Sequence, residues 1–329
     1  MLEIENNSTK FAHVELTICD MLRLSARRAA PLLARRAQFC SSAVYTPPPS
    51  EQRIRELQST VAALHRAGSY EDAKTAADEC YALSLSTFGA EHPASASAAC
   101  NLALMHKHCG EVDAAIGLYR EAHAQYEATV GATHASTATV ASNLALLLRD
   151  SAAAEEGVLA EARTLLIAAL DARAALHGDA HPLASVTRQH LASVLRLEGD
   201  VDGAAAMLEA AVDALEADVA GTADSHADFQ RASAADDARL RLAGALNSLG
   251  LLEKERENHA RAGELYEEAS ALREGALGPA HPDTIASRNN IAENLLAAGD
   301  EAKAQEVQRD ILRRIEADEA RRTAEYVKS

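Results

Sequence analysis

The chain has 329 residues, 48% of them apolar but only 3% aromatic, with no tryptophan, eight prolines and a formal charge of −17. Such a core has to be built from alanine and leucine, which favour helices over sheets. Residues 51–329 carry 26 basic and 45 acidic residues. That surplus repels phosphates and excludes non-specific nucleic-acid binding.

The first element in chain order is an N-terminal arm, residues 1–50. Between Met21 and Glu51 it has five arginines (23, 27, 28, 35 and 36), no acid, and Leu22, Leu24, Leu32 and Leu33 between them. This pattern resembles a mitochondrial presequence starting at Met21, with Arg36-Ala37-Gln38-Phe39 as a processing-like site. Glu3, Glu5, Glu15 and Asp20 precede it. They leave open an amphipathic cap on a cytoplasmic protein. Pro47-Pro48-Pro49 separates the arm from the rest of the chain.

From residue 51 the chain repeats. Gly89-Ala90-Glu91-His92-Pro93, Gly178-Asp179-Ala180-His181-Pro182 and Gly278-Pro279-Ala280-His281-Pro282 mark three joints. Gly131-Ala132-Thr133-His134-Ala135 marks a fourth without its proline, 42 residues after the first. Glycine suits the end of one helix and proline the first turn of the next, so each histidine reads as a junction or capping residue. Nine residues beyond it a polar residue sits in an apolar helix: Asn101, Asn143, His190 and Asn290. Ser59 and Ser248 hold that column in the two other units. A turn at Gly68, Gly110, Gly199 or Gly299 leads into a second helix. Small and apolar residues share one face there: Ala73, Ala77 and Cys80; Ala115, Tyr119 and Ala122; Ala162, Leu166 and Ala169; Ala204, Leu208 and Ala211; Ala262, Tyr266 and Ala269.

The pattern predicts helical pairs at about 51–89, 93–131, 135–178, 182–220, 238–278 and 282–314, then a charged end helix over 315–329. Two insertions break the period. One lengthens the turn near 151–157. The other, near 221–236 with His226, Asp228 and Phe229, reads as an exposed loop or short helix. No single hairpin can bury its apolar face. The expected fold is therefore all-α, a right-handed superhelical solenoid of about six tetratricopeptide-type hairpins, and its expected use is protein or peptide binding.

The motifs also carry a family resemblance. Arg288-Asn289-Asn290-Ile291-Ala292, Leu246-Asn247-Ser248-Leu249-Gly250, Leu265-Tyr266-Glu267-Glu268-Ala269 and Leu118-Tyr119-Arg120-Glu121-Ala122 are similar to the repeats of kinesin light chains, over residues 51–314. The resemblance implies that the first helix of each pair lines a groove and that its asparagines bond a bound peptide's backbone. Carried over by position, these are Asn101, Asn143, Asn247, Asn289 and Asn290, with His190 in place of one. Ser97, His108, Thr139 and Val186 stand one turn away. The same amides read equally as ties between adjacent hairpins. With a presequence in front, the architecture is similar to mitochondrial assembly factors of respiratory complexes that carry these repeats. Without one it matches a cytoplasmic cargo or signalling adaptor, or a subunit held through its outer face or end helices.

Other chemistry finds little support. His106 and His108 point to different faces of one helix, and with Cys100 and Cys109 they do not supply four converging zinc ligands. Residues 199–203 lack the further oxygens of a calcium loop. Phosphate-binding glycine motifs are absent. No stretch reaches the roughly 20 apolar residues of a membrane span. The sequence implies no catalysis, cofactor or metal, and leaves homo-oligomerisation open.

Overall fold

The computed structural model describes residues 48–151, 157–223 and 229–328, and all the regular structure there is helical. It divides near residue 177 into two compact units, each a set of three helical hairpins. The first unit holds α1 (Pro49–Arg66), α2 (Tyr70–Phe88), α3 (Pro93–His108), α4 (Val112–Val130), α5 (Ala135–Ser151) and α6 (Val158–His177). The second holds α7 (Pro182–Glu198), α8 (Val201–Ala223), α9 (Phe229–Glu255), α10 (His259–Leu277), α11 (Pro282–Ala297) and α12 (Glu301–Lys328). Within each unit hairpin partners pack on one another, and the second helix of a hairpin packs on the first helix of the next. Residues 1–47, and with them the proposed presequence, lie outside the described residues.

The joints show why the helices start where they do. The Nδ1 atoms of His92, His134, His181 and His281 accept from the backbone N–H two residues on, at 3.1, 3.1, 3.2 and 3.2 Å. The histidines are N-caps, satisfying a donor the first turn leaves open. In this role Nδ1 accepts, which leaves Nε2 as the ring's donor. A second tie recurs at three joints. Ser95, Thr137 and Thr284 donate to the carbonyls of Gly89, Gly131 and Gly278 at 2.7, 2.8 and 2.9 Å. The glycines take φ of 84–94°, a left-handed region that side chains disfavour.

Glu257 occupies the turn position that Gly299 fills 42 residues later, and it too is left-handed, at φ 62°. Asn258 supports this turn by donating to Glu253 at 2.7 Å. A residue with a Cβ is strained there by about 1 kcal/mol. Glu257→Gly is therefore expected to stabilise the second unit by up to about 1 kcal/mol, read as a rise in urea midpoint with unchanged slope.

Every second-helix residue singled out by spacing is buried, none more than 4% exposed. Tyr119 and Tyr266 are among the largest fully enclosed side chains. One boundary differs from the sequence reading. The insertion near 221–236 lengthens the helices on either side, with α8 reaching Ala223 and α9 starting at Phe229. Its alanine-rich flanks propagate an existing helix more readily than they form a separate loop. His226 and Asp228 fall outside the described residues. At the other end α12 runs unbroken through residue 314, so the charged end helix is the second half of a 28-residue helix.

A charged network joins hairpins five and six. Asp310 accepts from Arg288 and from Arg314, each at 2.6 Å, and Arg314 reaches Glu274 on α10 at 2.9 Å. The Arg314 hydrogen bond, with the other arginines nearby, holds the Asp310 carboxyl below its usual range. A depressed carboxylate stabilises the fold above its unfolded pKa and ceases to as pH falls through the folded value. Because the group is partly exposed, Asp310→Asn is expected to cost only about 1 kcal/mol at neutral pH. Urea midpoints of wild type and variant should converge in strong acid.

Candidate functional site

The residues assigned to a groove all lie on the first helices of the hairpins, and the structure sorts them by what their polar atoms do. On α9 and α11 the amides face each other. Asn290 Nδ2 donates to Asn247 Oδ1 at 3.2 Å, and Asn247 Nδ2 donates to Ser287 Oγ at 3.0 Å and to the Ala243 carbonyl at 2.9 Å. Arg273 of α10 adds bonds to Ser287 Oγ at 2.8 Å and to the Asp283 carbonyl at 3.0 Å. Burial pulls the Arg273 guanidinium below its ordinary pKa, partly offset by Asp283. Asn247 and Asn290 thus tie hairpin five to hairpin six.

Asn101 on α3, Asn143 on α5 and Asn289 on α11 differ. Among the described residues no side-chain hydrogen bond engages them. Asn101 is buried, yet its amide is not among the sealed unpaired atoms. Asn143 is half-buried and Asn289 is exposed. Asn289 stands in the repeat where Asn247 stands one unit earlier. Asn247 is covered by the next hairpin, and no described hairpin follows Asn289.

The neighbouring residues divide in the same way. Thr139 is buried and donates to the Ala135 carbonyl of its own helix at 2.8 Å. Ser97 is half-buried beside the Tyr126 hydroxyl of α4. Val186 and His190 are half-buried on α7, where the His190 carbonyl accepts from Ser193 at 2.6 Å. His108 meets the end of hairpin one. Its Nε2 lies 3.1 Å from His65 Nε2, and its ring stacks on Tyr70 with centroids 4.6 Å apart. One of these two ring nitrogens donates and the other accepts. His106 turns away to bond Glu111.

Sequence reasoning missed the Ser287–Arg273 pair, which completes the polar tie. The available signal was Arg173, 100 residues before Arg273 at the matching place in its own hairpin. Arg173 is 5% exposed, and burial lowers its pKa to about 10. No group of three or more His, Cys, Asp or Glu side chains among the described residues is placed to hold a metal ion. No described helix is long and apolar enough to cross a membrane.

Six helical hairpins with buried alanine-and-tyrosine faces and capped joints define a repeat scaffold of the protein-binding type. The tetratricopeptide repeat profile matches residues 95–156, 151–217 and 241–317, more than half of the sequence, and the chain belongs to that family. The structure resembles kinesin light chain TPR-like repeats of Podosopora anserina at 23% identity, covering 69% of this chain and 98% of that one, with a TM-score of 0.53. It resembles BtubC (BKLC) from P. vanneervenii at 21% identity, covering 83% and 93%, with a TM-score of 0.52. NprR in complex with its cognate peptide NprX is similar at 10% identity, covering 88% and 72%, with a TM-score of 0.52. These identities establish likeness of fold. No curated protein matches the sequence.

Proposed function

We propose that the chain is an adaptor or assembly scaffold that binds an extended protein segment along the first helices of its hairpins, and that it serves respiratory-complex assembly in mitochondria. The observation that carries the binding role is the set of amides left without an internal partner, on Asn101, Asn143 and Asn289. A primary amide offers both a donor and an acceptor, the pair that a peptide unit needs. The similar fold of NprR, which holds a peptide, supports this reading. The acidic body favours a basic or dipolar segment. The mitochondrial setting rests on the arginine- and leucine-bearing arm over residues 21–46.

Two measurements test the proposal. Asn101→Ala, Asn143→Ala and Asn289→Ala combined in the full chain should change the proteins recovered by cross-linking and affinity capture, while helicity and urea midpoint stay near wild type. An unchanged partner set removes the groove assignment. Mass spectrometry of the mature N-terminus should find a chain that starts near residue 40. A mature protein that retains residues 1–20 removes the mitochondrial setting and leaves the binding role standing.

A further inference from the structure

Within each unit a hairpin turns one face toward the hairpin that follows it. In hairpin five, Glu267, Ser270, Ala271 and Glu274 of α10 line a cavity of about 270 Å³, closed by Arg288 and Ile291 of α11 and Val307 of α12. Glu274 bonds Arg314 across it, and Asn247 bonds Ser287 beside it. The residues 42 positions later are Arg309, Leu312, Arg313 and Glu316, and they line the matching groove on α12. Asn289 stands beside it where Asn247 stands in hairpin five. No described helix covers this second groove.

Three positions of the uncovered copy are apolar where the covered copy is polar, while Arg313 stands where the covered copy has Ala271. Where hairpin five has Lys254, Ser270 and Arg273, hairpin six has Leu296, Leu312 and Ile315, which are 46, 59 and 36% exposed. Such a change is expected of a surface that another helix covers, not of a solvent-facing cap.

We propose that this face is a dimer interface, in which two copies of the chain meet through α12 and α11 about a twofold axis. Charge points to a second copy as the occupant. Arg309 and Glu316 lie two helical turns apart and flank Leu312. When two α12 helices run antiparallel across an axis near Leu312, Arg309 meets the second copy's Glu316, and symmetry repeats the pair. A head-to-tail contact does not fit so well. The outer face of α1 exposes Gln52, Arg53, Glu56, Ser59 and Thr60, and gives the leucines nothing apolar to meet. This inference does not rest on the peptide-binding role, but its face adjoins Asn289, so the variants that test it leave Asn289 unchanged.

Sedimentation of the full chain tests it, with circular dichroism to check folding of each variant. All three residues to be changed are exposed, so the hairpins should fold without them. The wild-type chain should be a dimer, and Leu312→Asp should weaken association at least roughly tenfold, as loss of a buried leucine implies. Arg309→Glu and Glu316→Arg should each weaken it, and the two together should restore it. A full chain that stays monomeric at its highest soluble concentration overturns the proposal. So does a dimer indifferent to Leu312→Asp. If the monomer's residues 21–46 lose hydrogen-exchange protection in Leu312→Asp, the face belongs to the arm instead, and the proposal likewise fails.

Discussion

Tyr266→Ala is expected to lower the unfolding free energy of the second unit by about 3–5 kcal/mol, the range for emptying a buried aromatic site. The ring is 1% exposed and sits in one cluster with Ala262 of its own helix and Ile291 of the next hairpin. It also lies against Gly250 of α9, where an added Cβ would come within 2.7 Å of ring carbon Cε1. An aromatic ring held on several sides cannot move aside cheaply, so Gly250→Ala is expected to cost about 1–3 kcal/mol by overpacking. The two positions should couple. Gly250→Ala combined with Tyr266→Leu should be less destabilised than the sum of the single changes, because the shorter side chain vacates the space the new methyl needs. Urea denaturation of the four proteins measures this. Additive costs would show that the ring and the glycine do not constrain each other.

Asn247→Ala should produce the next largest loss, about 2 kcal/mol, since it deletes a buried hub and leaves Asn290 without its acceptor. The comparison that gives this number meaning is Asn289→Ala, one repeat later. Asn289 is exposed and makes no side-chain hydrogen bond among the described residues, so its removal is expected to stay within about 0.5 kcal/mol. The same motif residue should thus register in a stability measurement at one position and hardly at the next. If both variants unfold at the same urea concentration, the hydrogen bonds around Asn247 contribute nothing net, and the account of hairpin five tied to hairpin six fails.

The contrast marks how far the sequence could be read. Leu246-Asn247 and Arg288-Asn289 look alike in the chain, and family likeness gives both asparagines one role. Their surroundings differ because a hairpin follows one and no described hairpin follows the other. No local pattern encodes that. Glu257 makes a similar point: its turn lacks the glycine that marks four others, and only the backbone reveals the left-handed residue. The insertion near 221–236 read as an exposed loop or a short helix because it broke the repeat, yet most of it extends the flanking helices. A break in period says that residues are added, without saying whether they continue a helix.

What the sequence by itself determined is the repeat: where hairpins begin, which face of each second helix is buried, and that the fold is helical throughout the described residues. Those properties are local. A histidine before proline caps the turn beside it, and a three-to-four spacing of small residues fixes one face of one helix. Among the described residues, the tertiary structure decided which polar residues of the first helices are bound within the protein and which make no side-chain bond, and which stacking face no described helix covers. These depend on contacts between residues about 40 positions apart, where the neighbour that covers a side chain, and not the side chain's own type, sets whether its hydrogen bonds are already made.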